Sequence, residues 1–369
     1  MSMLQQLLLA APELHVLLTL LCTWAVFWFF AMPLFAKHMV MPYVLKQRWK
    51  DRWCEVQKKI QKAVLNIEFP NDRAAMDFFV DGIPLLFQHI LGALLCVPSL
   101  LAIGPTYVTS AMACHGLLSE AGWELMDILK RGYEVVCGGE ESKAKNPTAF
   151  LIFLLIHHVM GQTMIIPVII YYHDNLYVHE FCFLLQGGAG AALLLSSYGY
   201  TIDITTAAGL RQMKVVSTTT LAMILYTRCF RYVYVAYFLT LQIYGDGHTV
   251  LFGFGVVALC LMGLINMLFC TEALSKFLKF FKMQHTDDAE HVQRTLVHMS
   301  SSFHRQNSAV IMDLFLTDSQ KRWSKIRGVV HMGVLHETKK TDSAAKAAEK
   351  KRAGDKTPVV RQRKTAKEE

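Results

Sequence analysis

Long apolar runs, broken at intervals by short polar stretches, fill the first 280 residues of the chain. A helix needs about 20 apolar residues to cross a bilayer's hydrocarbon core. Seven segments meet that length: residues 13–36, 79–103, 106–130, 148–171, 180–199, 215–241 and 249–275. Only Gly104-Pro105 separates the second from the third, so the pattern predicts a tight turn there. The first segment has no basic n-region and no A-x-A-like cleavage site. It is therefore expected to remain as a transmembrane helix rather than to be removed as a signal. Between Lys46 and Ile67, apolar residues recur at Trp49, Trp53, Val56, Ile60, Val64 and Ile67, with Lys58, Lys59 and Lys62 elsewhere on the wheel. This predicts an amphipathic helix, either lying on the membrane surface or packed on the core as a connector.

Charge follows the same alternation. Lys and Arg collect in cytoplasmic loops. There are nine from Lys37 to Arg73, none at Gly104, four from Lys130 to Lys145, none in His173–His179, two at Arg211 and Lys214, none in Tyr244–His248, and twenty from Lys276 onward. That leaves only Arg228 and Arg231 inside a span. The expected topology places the N-terminus in the lumen or outside and the C-terminus in the cytosol. The organisation read from the sequence is an all-α, polytopic membrane bundle. Residues 1–36 form a first transmembrane helix, 37–78 a cytosolic amphipathic interfacial segment and 79–280 a six-helix membrane core. Residues 281–337 form a cytosolic, partly helical segment and 338–369 a disordered basic tail.

Composition narrows the function classes. Residues 283–369 hold 28 of the 66 charged side chains, which leaves the remainder too apolar for a water-soluble protein. The net charge of +8 is accounted for by loop and tail positions, and no nucleic-acid partner is expected. Most of the nine cysteines lie in apolar runs with no C-x-x-C spacing, so they act as small hydrophobes. No metal site is indicated. His285, His291, His298 and His304 in the tail lack matching cysteines and are read as one face of a solvated helix. There is no P-loop, G-x-S-x-G or H-E-x-x-H.

Ionisable residues inside spans are costly and mark function or a specific structural need. Counted at about 1.5 Å per residue from the cytosolic helix ends, His89, Glu120, His157, His158, Arg228, Arg231 and Asn266 mostly fall near one level, roughly 15 Å in. Glu120, Glu124 and Asp127 are spaced four and three apart, so all three carboxylates share one helix face. That face should look into the bundle toward His89, His157, His158 and Arg231. The opposing reading is a hydrogen-bonded network that only fixes helix packing.

In order along the chain, five features resemble the TLC-domain family, which includes ceramide synthases, translocon-associated TRAM proteins and CLN-like members. They are Phe87-Gln88-His89, Gly122-Trp123-Glu124-Leu125-Met126-Asp127, and Asn146-Pro147 followed by Phe150 to His158. The last two are Phe230-Arg231-Tyr232 and Leu264-Ile265-Asn266-Met267. The resemblance covers about residues 40–280. It implies a six-helix core preceded by one helix, residence in the endoplasmic reticulum or another endomembrane, and a role in lipid homeostasis with membrane lipid as partner. By analogy with ceramide synthases, His157 or His158 becomes the general base of an acyl transfer. Acyl-CoA would then be a co-substrate, and no resident cofactor is implied. A TRAM-like member would instead assist protein insertion or trafficking. The oligomeric state stays open.

The chain departs from the synthases at one place. Where they carry acids on the span after the paired histidine, this sequence has Gln186-Gly187-Gly188-Ala189-Gly190, with no acid until Asp203. The glycines are expected to serve close helix packing. Without those acids His157 and His158 lose their usual orienting partner, which Glu120, Glu124 or Asp127 would have to replace. Lipid binding without synthase activity is the preferred expectation and acyl transfer the alternative.

Overall fold

The computed structural model describes residues 13–65, 69, 71–139, 146 and 148–283. The tail histidines and the segments expected to be partly helical and disordered lie outside the described residues, except for the few residues that end the last helix. Among the described residues there is no strand, and the helices are α1 (Leu14–Leu45), α2 (Lys50–Leu65), α3 (Asp72–Asp81), α4 (Ile83–Leu100), α5 (Thr106–Cys137), α6 (Thr148–Tyr172), α7 (Leu176–Gly199), α8 and α9 (Thr249–Lys282). Helix α8 runs Ala207–Ile224, passes through a π-helical turn at Leu225–Phe230 and continues as Arg231–Gly245.

Five of these helices, α1, α4, α6, α7 and α9, are long and apolar enough to cross a membrane. The remaining two expected spans, α5 and α8, are helical as anticipated, and they are the helices that carry the acid trio and Arg228 and Arg231. The architecture is consistent with a multi-pass membrane protein. Its outer surface is apolar, with Phe29, Phe30, Leu34, Val250, Phe254 and Met267 exposed, and a mainly apolar interior also holds Gln88, Glu124, Asp127, His158, Gln186, Arg228 and Asn266. That arrangement suits hydrocarbon, where the interior is where polar groups find partners.

Helix α1 runs past the expected end at residue 36 in spite of Pro33 and Pro42. Each proline follows a π-helical turn, Phe27–Ala31 and Ala36–Val40. A proline lacks the N–H for the i−4 carbonyl and its ring crowds that carbonyl; widening the preceding turn relieves both. Asn71 caps α3, its side-chain oxygen accepting from the Ala74 amide at 2.9 Å. The anticipated turn between α4 and α5 forms with Ala102 at φ 52° and Gly104 at φ 101°, a backbone region glycine enters without strain.

Packing centres on α4, α5 and α7, with α1 laid along α5. Leu17, Leu118 and Ile169 are fully buried together. In a membrane such burial stabilises through close contact rather than through release of water. The glycine run of α7 behaves as its composition suggested. A Cβ on Gly188 would stand 2.6 Å from the Thr227 hydroxyl, and one on Gly190 3.2 Å from the Ile90 nitrogen.

The amphipathic helix α2 covers its tryptophan face with protein. Trp53 packs edge-on against Phe79 with ring centroids 4.9 Å apart, and both contact a cluster containing Ala36, Met41, Val44, Ala75 and Met76. At that end α2 is a packed connector. Arg52 of α2 also donates to Asp203 in the α7–α8 loop at 2.6 Å. Burial pulls the Asp203 carboxyl upward, but the Thr205 hydroxyl and amide and the Arg52 guanidinium outweigh it and hold it below the ordinary carboxylate value. A depressed folded pKa stabilises above the unfolded value and is lost as pH falls through the folded one. Arg52→Ala should therefore destabilise by at most about 1 kcal/mol at neutral pH. The difference from wild type should fade toward strongly acidic pH, measured by thermal unfolding in detergent; a pH-independent gap would contradict the pairing.

Candidate functional site

Helix α5 presents its three acids on one inward face, as their spacing predicts, but at two levels. At the upper level Glu120 accepts from the Gln88 side-chain amide of α4 and lies 3.8 Å from Nδ1 of His89. Gln88 also donates to Gln186 Oε1 at 3.2 Å, and Gln186 Nε2 donates to the Gly116 carbonyl at 3.1 Å. One carboxylate and two amides thus tie α4, α5 and α7 together.

One turn further along, Glu124 and Asp127 face α6. Arg131, four residues after Asp127, donates its Nε to both Asp127 oxygens at 2.9 and 2.8 Å. Its Nη1 donates to Asn146 Oδ1 at 2.8 Å, and Asn146 Nδ2 donates to Glu134 at 2.9 Å. The network fixes Asp127, which then meets Nε2 of His158 at 3.0 Å. Since a carboxylate accepts, that nitrogen is the donor. Nδ1 points toward Glu124 Oε1 at 3.8 Å, within ion-pair range though longer than a hydrogen bond. Glu124 is 2% exposed and takes one long bond from Gln162 Nε2, 3.3 Å, whose other bond is to the Ala121 carbonyl at 2.6 Å. Gly161 makes room: a Cβ there would collide with the Glu124 carboxylate. The His157 ring lies beside His158 with centroids 5.5 Å apart. One donor atom from each of Glu124, His157 and His158 lies within 4.8 Å of the others.

No family model, curated protein or solved structure matches this chain.

Of the residues singled out in the sequence, His89, Glu120, Glu124, Asp127, His157 and His158 lie along the seam between α4, α5 and α6. Three others do not join that hydrogen-bonded set. Arg231 does not reach the α5 carboxylates; its guanidinium pairs with Glu180 of α7, Nη2 to Oε2 2.8 Å, and lies over Tyr234. Arg228 is buried but donates to the Leu185 carbonyl and sits 5.9 Å from the Phe269 ring. Asn266 is 2% exposed with neither side-chain polar atom hydrogen-bonded. Arg228 stays within electrostatic range of Glu120, and the divergence of Arg231 follows from the π-helical turn at Leu225–Phe230. Its extra residue rotates the rest of α8 away from the register that a uniform 3.6-residue count assumes.

Residues not anticipated as partners are Arg131, Gln162 and Gln186. Gln162 had a signal, since it stands four residues after His158 on the same helical face. Chemically, the seam offers an oriented imidazole flanked by two carboxylates, an adjacent imidazole and a buried carboxylate face. That set can accept a proton, bind a polar headgroup or ligate a cation.

Proposed function

We propose that this chain is a seven-span endomembrane protein of the TLC type that binds lipid at the α4–α5–α6 seam and thereby affects membrane lipid homeostasis. In this reading the N-terminus is lumenal, the C-terminus cytosolic and the compartment the endoplasmic reticulum or a related membrane. The observation that carries it is the polar seam itself, in which Gln88, Glu124, Asp127, His158 and Gln186 are buried among helices whose outer faces are apolar. Sites of this kind are few in membrane proteins and serve as binding or transfer sites. Cells lacking the chain should show a changed lipid profile, restored by wild type and not by a His158→Ala variant that accumulates to the same level. An unchanged profile in the null cells would overturn the proposal.

A second reading, acyl-CoA-dependent N-acyl transfer, is favoured by the Asp127–His158 pair. The sequence lacks an orienting acid on the fifth span, and Asp127 of α5 supplies one to His158. His158 Nδ1 would take the proton from an attacking amine as the amine nitrogen bonds the acyl carbon. The thioester C–S bond breaks and CoA thiolate leaves. Purified protein with acyl-CoA and a sphingoid base should then form amide at a rate that His158→Ala lowers about 10²–10⁴-fold, the usual contribution of a general base. Equal rates for both proteins would end the enzymatic reading.

A further inference from the structure

The α5–α6 seam contains a feature that lipid binding does not require. Nδ1 of His158 makes no hydrogen bond although the residue is 5% exposed, and it is aimed at a carboxylate that is itself almost fully buried. A buried imidazole nitrogen and a buried carboxylate that face each other without a hydrogen bond can share a proton or a cation between them. Their separation fits an ion as well as a proton-sharing pair. At 3.8 Å the two atoms are too far apart for a hydrogen bond. Two ligands of one zinc ion, each about 2.0–2.1 Å from it, stand roughly 3.3–4.2 Å apart for angles from tetrahedral to open. His157 brings a third donor atom within 4.8 Å of both, so a fractional closing of the cluster completes a three-ligand set.

The surroundings are those a metal-binding histidine ordinarily has. Nε2 of His158 donates to Asp127 at 3.0 Å, the carboxylate–histidine pairing that fixes the tautomer and presents the other nitrogen to an ion. Asp127 is in turn held by both Arg131 bonds, which leaves Glu124 as the carboxylate without a guanidinium partner. Two imidazoles with one carboxylate suit a borderline divalent ion such as zinc, iron or manganese, whereas magnesium and calcium favour all-oxygen sites.

We propose that Glu124, His157 and His158 bind one divalent transition-metal ion, with Asp127 orienting His158 from outside the ligand shell. Three protein ligands leave a fourth position open, as in metal sites that engage a ligand or water. In this chain that position is suited to a lipid oxygen or a water molecule. Residue spacing does not reveal the cluster, because the donors come from two helices about thirty residues apart and match no contiguous metal motif.

The full-length chain, purified in detergent after a brief chelator wash, should retain about one equivalent of zinc, iron or manganese by elemental analysis. Glu124→Gln and His158→Ala should retain under a tenth of that, and Asp127→Asn should bind zinc 10–100-fold more weakly in competition with a chromophoric chelator. If the ligand variants do not fold, cobalt added to metal-free wild type decides. A visible absorption band saturating at one cobalt per chain and displaced by zinc supports the site. Wild-type protein that elutes as a folded species, carries less than a tenth of an equivalent and gives no such band overturns it, as does metal retained equally by Glu124→Gln. Neither result depends on whether lipid binds.

Discussion

Replacing Asp127 with alanine should cost the folded protein about 3–5 kcal/mol, the range for removing one partner of a buried charged pair. The substitution strips Arg131 of both its Nε bonds and His158 of its Nε2 acceptor. The bond from Arg131 to Asn146 is to a neutral amide and does not replace the Asp127 charge. Asp127→Asn keeps an oxygen that can accept from one of the two partners but removes the charge, so its cost should fall between that of alanine and wild type. Unfolding in mixed micelles titrated with a denaturing detergent reads the difference. A cost below about 0.5 kcal/mol for the alanine variant, well under the range for a buried pair, would mean that Asp127 is not the anchor of the α5–α6 seam.

Gly161→Ala should cost about 1–3 kcal/mol, the usual range for overpacking a filled interior. Alanine is ordinarily the better helix former by about 1 kcal/mol, so a loss here runs against local propensity. The cause is the Glu124 carboxylate, which occupies the space a Cβ would need. In a Glu124→Ala background that space is empty and the same change should be neutral or stabilising. The two substitutions should thus be coupled by at least about 1 kcal/mol in a double-mutant cycle, within the range found for residues in contact. Additive effects would place the Glu124 side chain elsewhere.

These expectations depend on features of unequal legibility in the sequence. The helical segments come directly from apolar runs and loop charge, and the Gly104-Pro105 turn from its two residues. The shared face of Glu120, Glu124 and Asp127 comes from their spacing of four and three, because nothing interrupts the regular turn of α5 between residues 106 and 137. Where a helix is irregular the same reasoning fails. Arg231 was expected beside the carboxylates but pairs with Glu180, because the π-helical turn before it shifts the register. The apolar run likewise placed the end of α1 at residue 36, whereas the helix continues through Pro33 and Pro42 by way of π-helical turns.

Neutral amides were the other blind spot. Gln162 and Gln186 cost less to bury than charged groups, so attention to costly residues passes over them. Yet they hold Glu124 and Gln88 in place. The distinction between an isolated imidazole and one held between two carboxylates was not legible at all. It depends on the rotation of α6 against α5, which residue spacing within one helix does not determine.

Photo-crosslinking tests most directly whether the polar seam between α5 and α6 receives lipid. Cells fed a photoactivatable, alkyne-bearing sphingoid base or fatty acid would be irradiated, the chain purified and labelled peptides located by mass spectrometry. Label is expected on the peptides carrying Glu120–Asp127 and His157–Gln162, diminished by excess unlabelled lipid and by Gly161→Leu, which fills the seam. Label confined to outward residues such as Phe30 and Phe254, and unaffected by competitor, would contradict lipid entry at the seam.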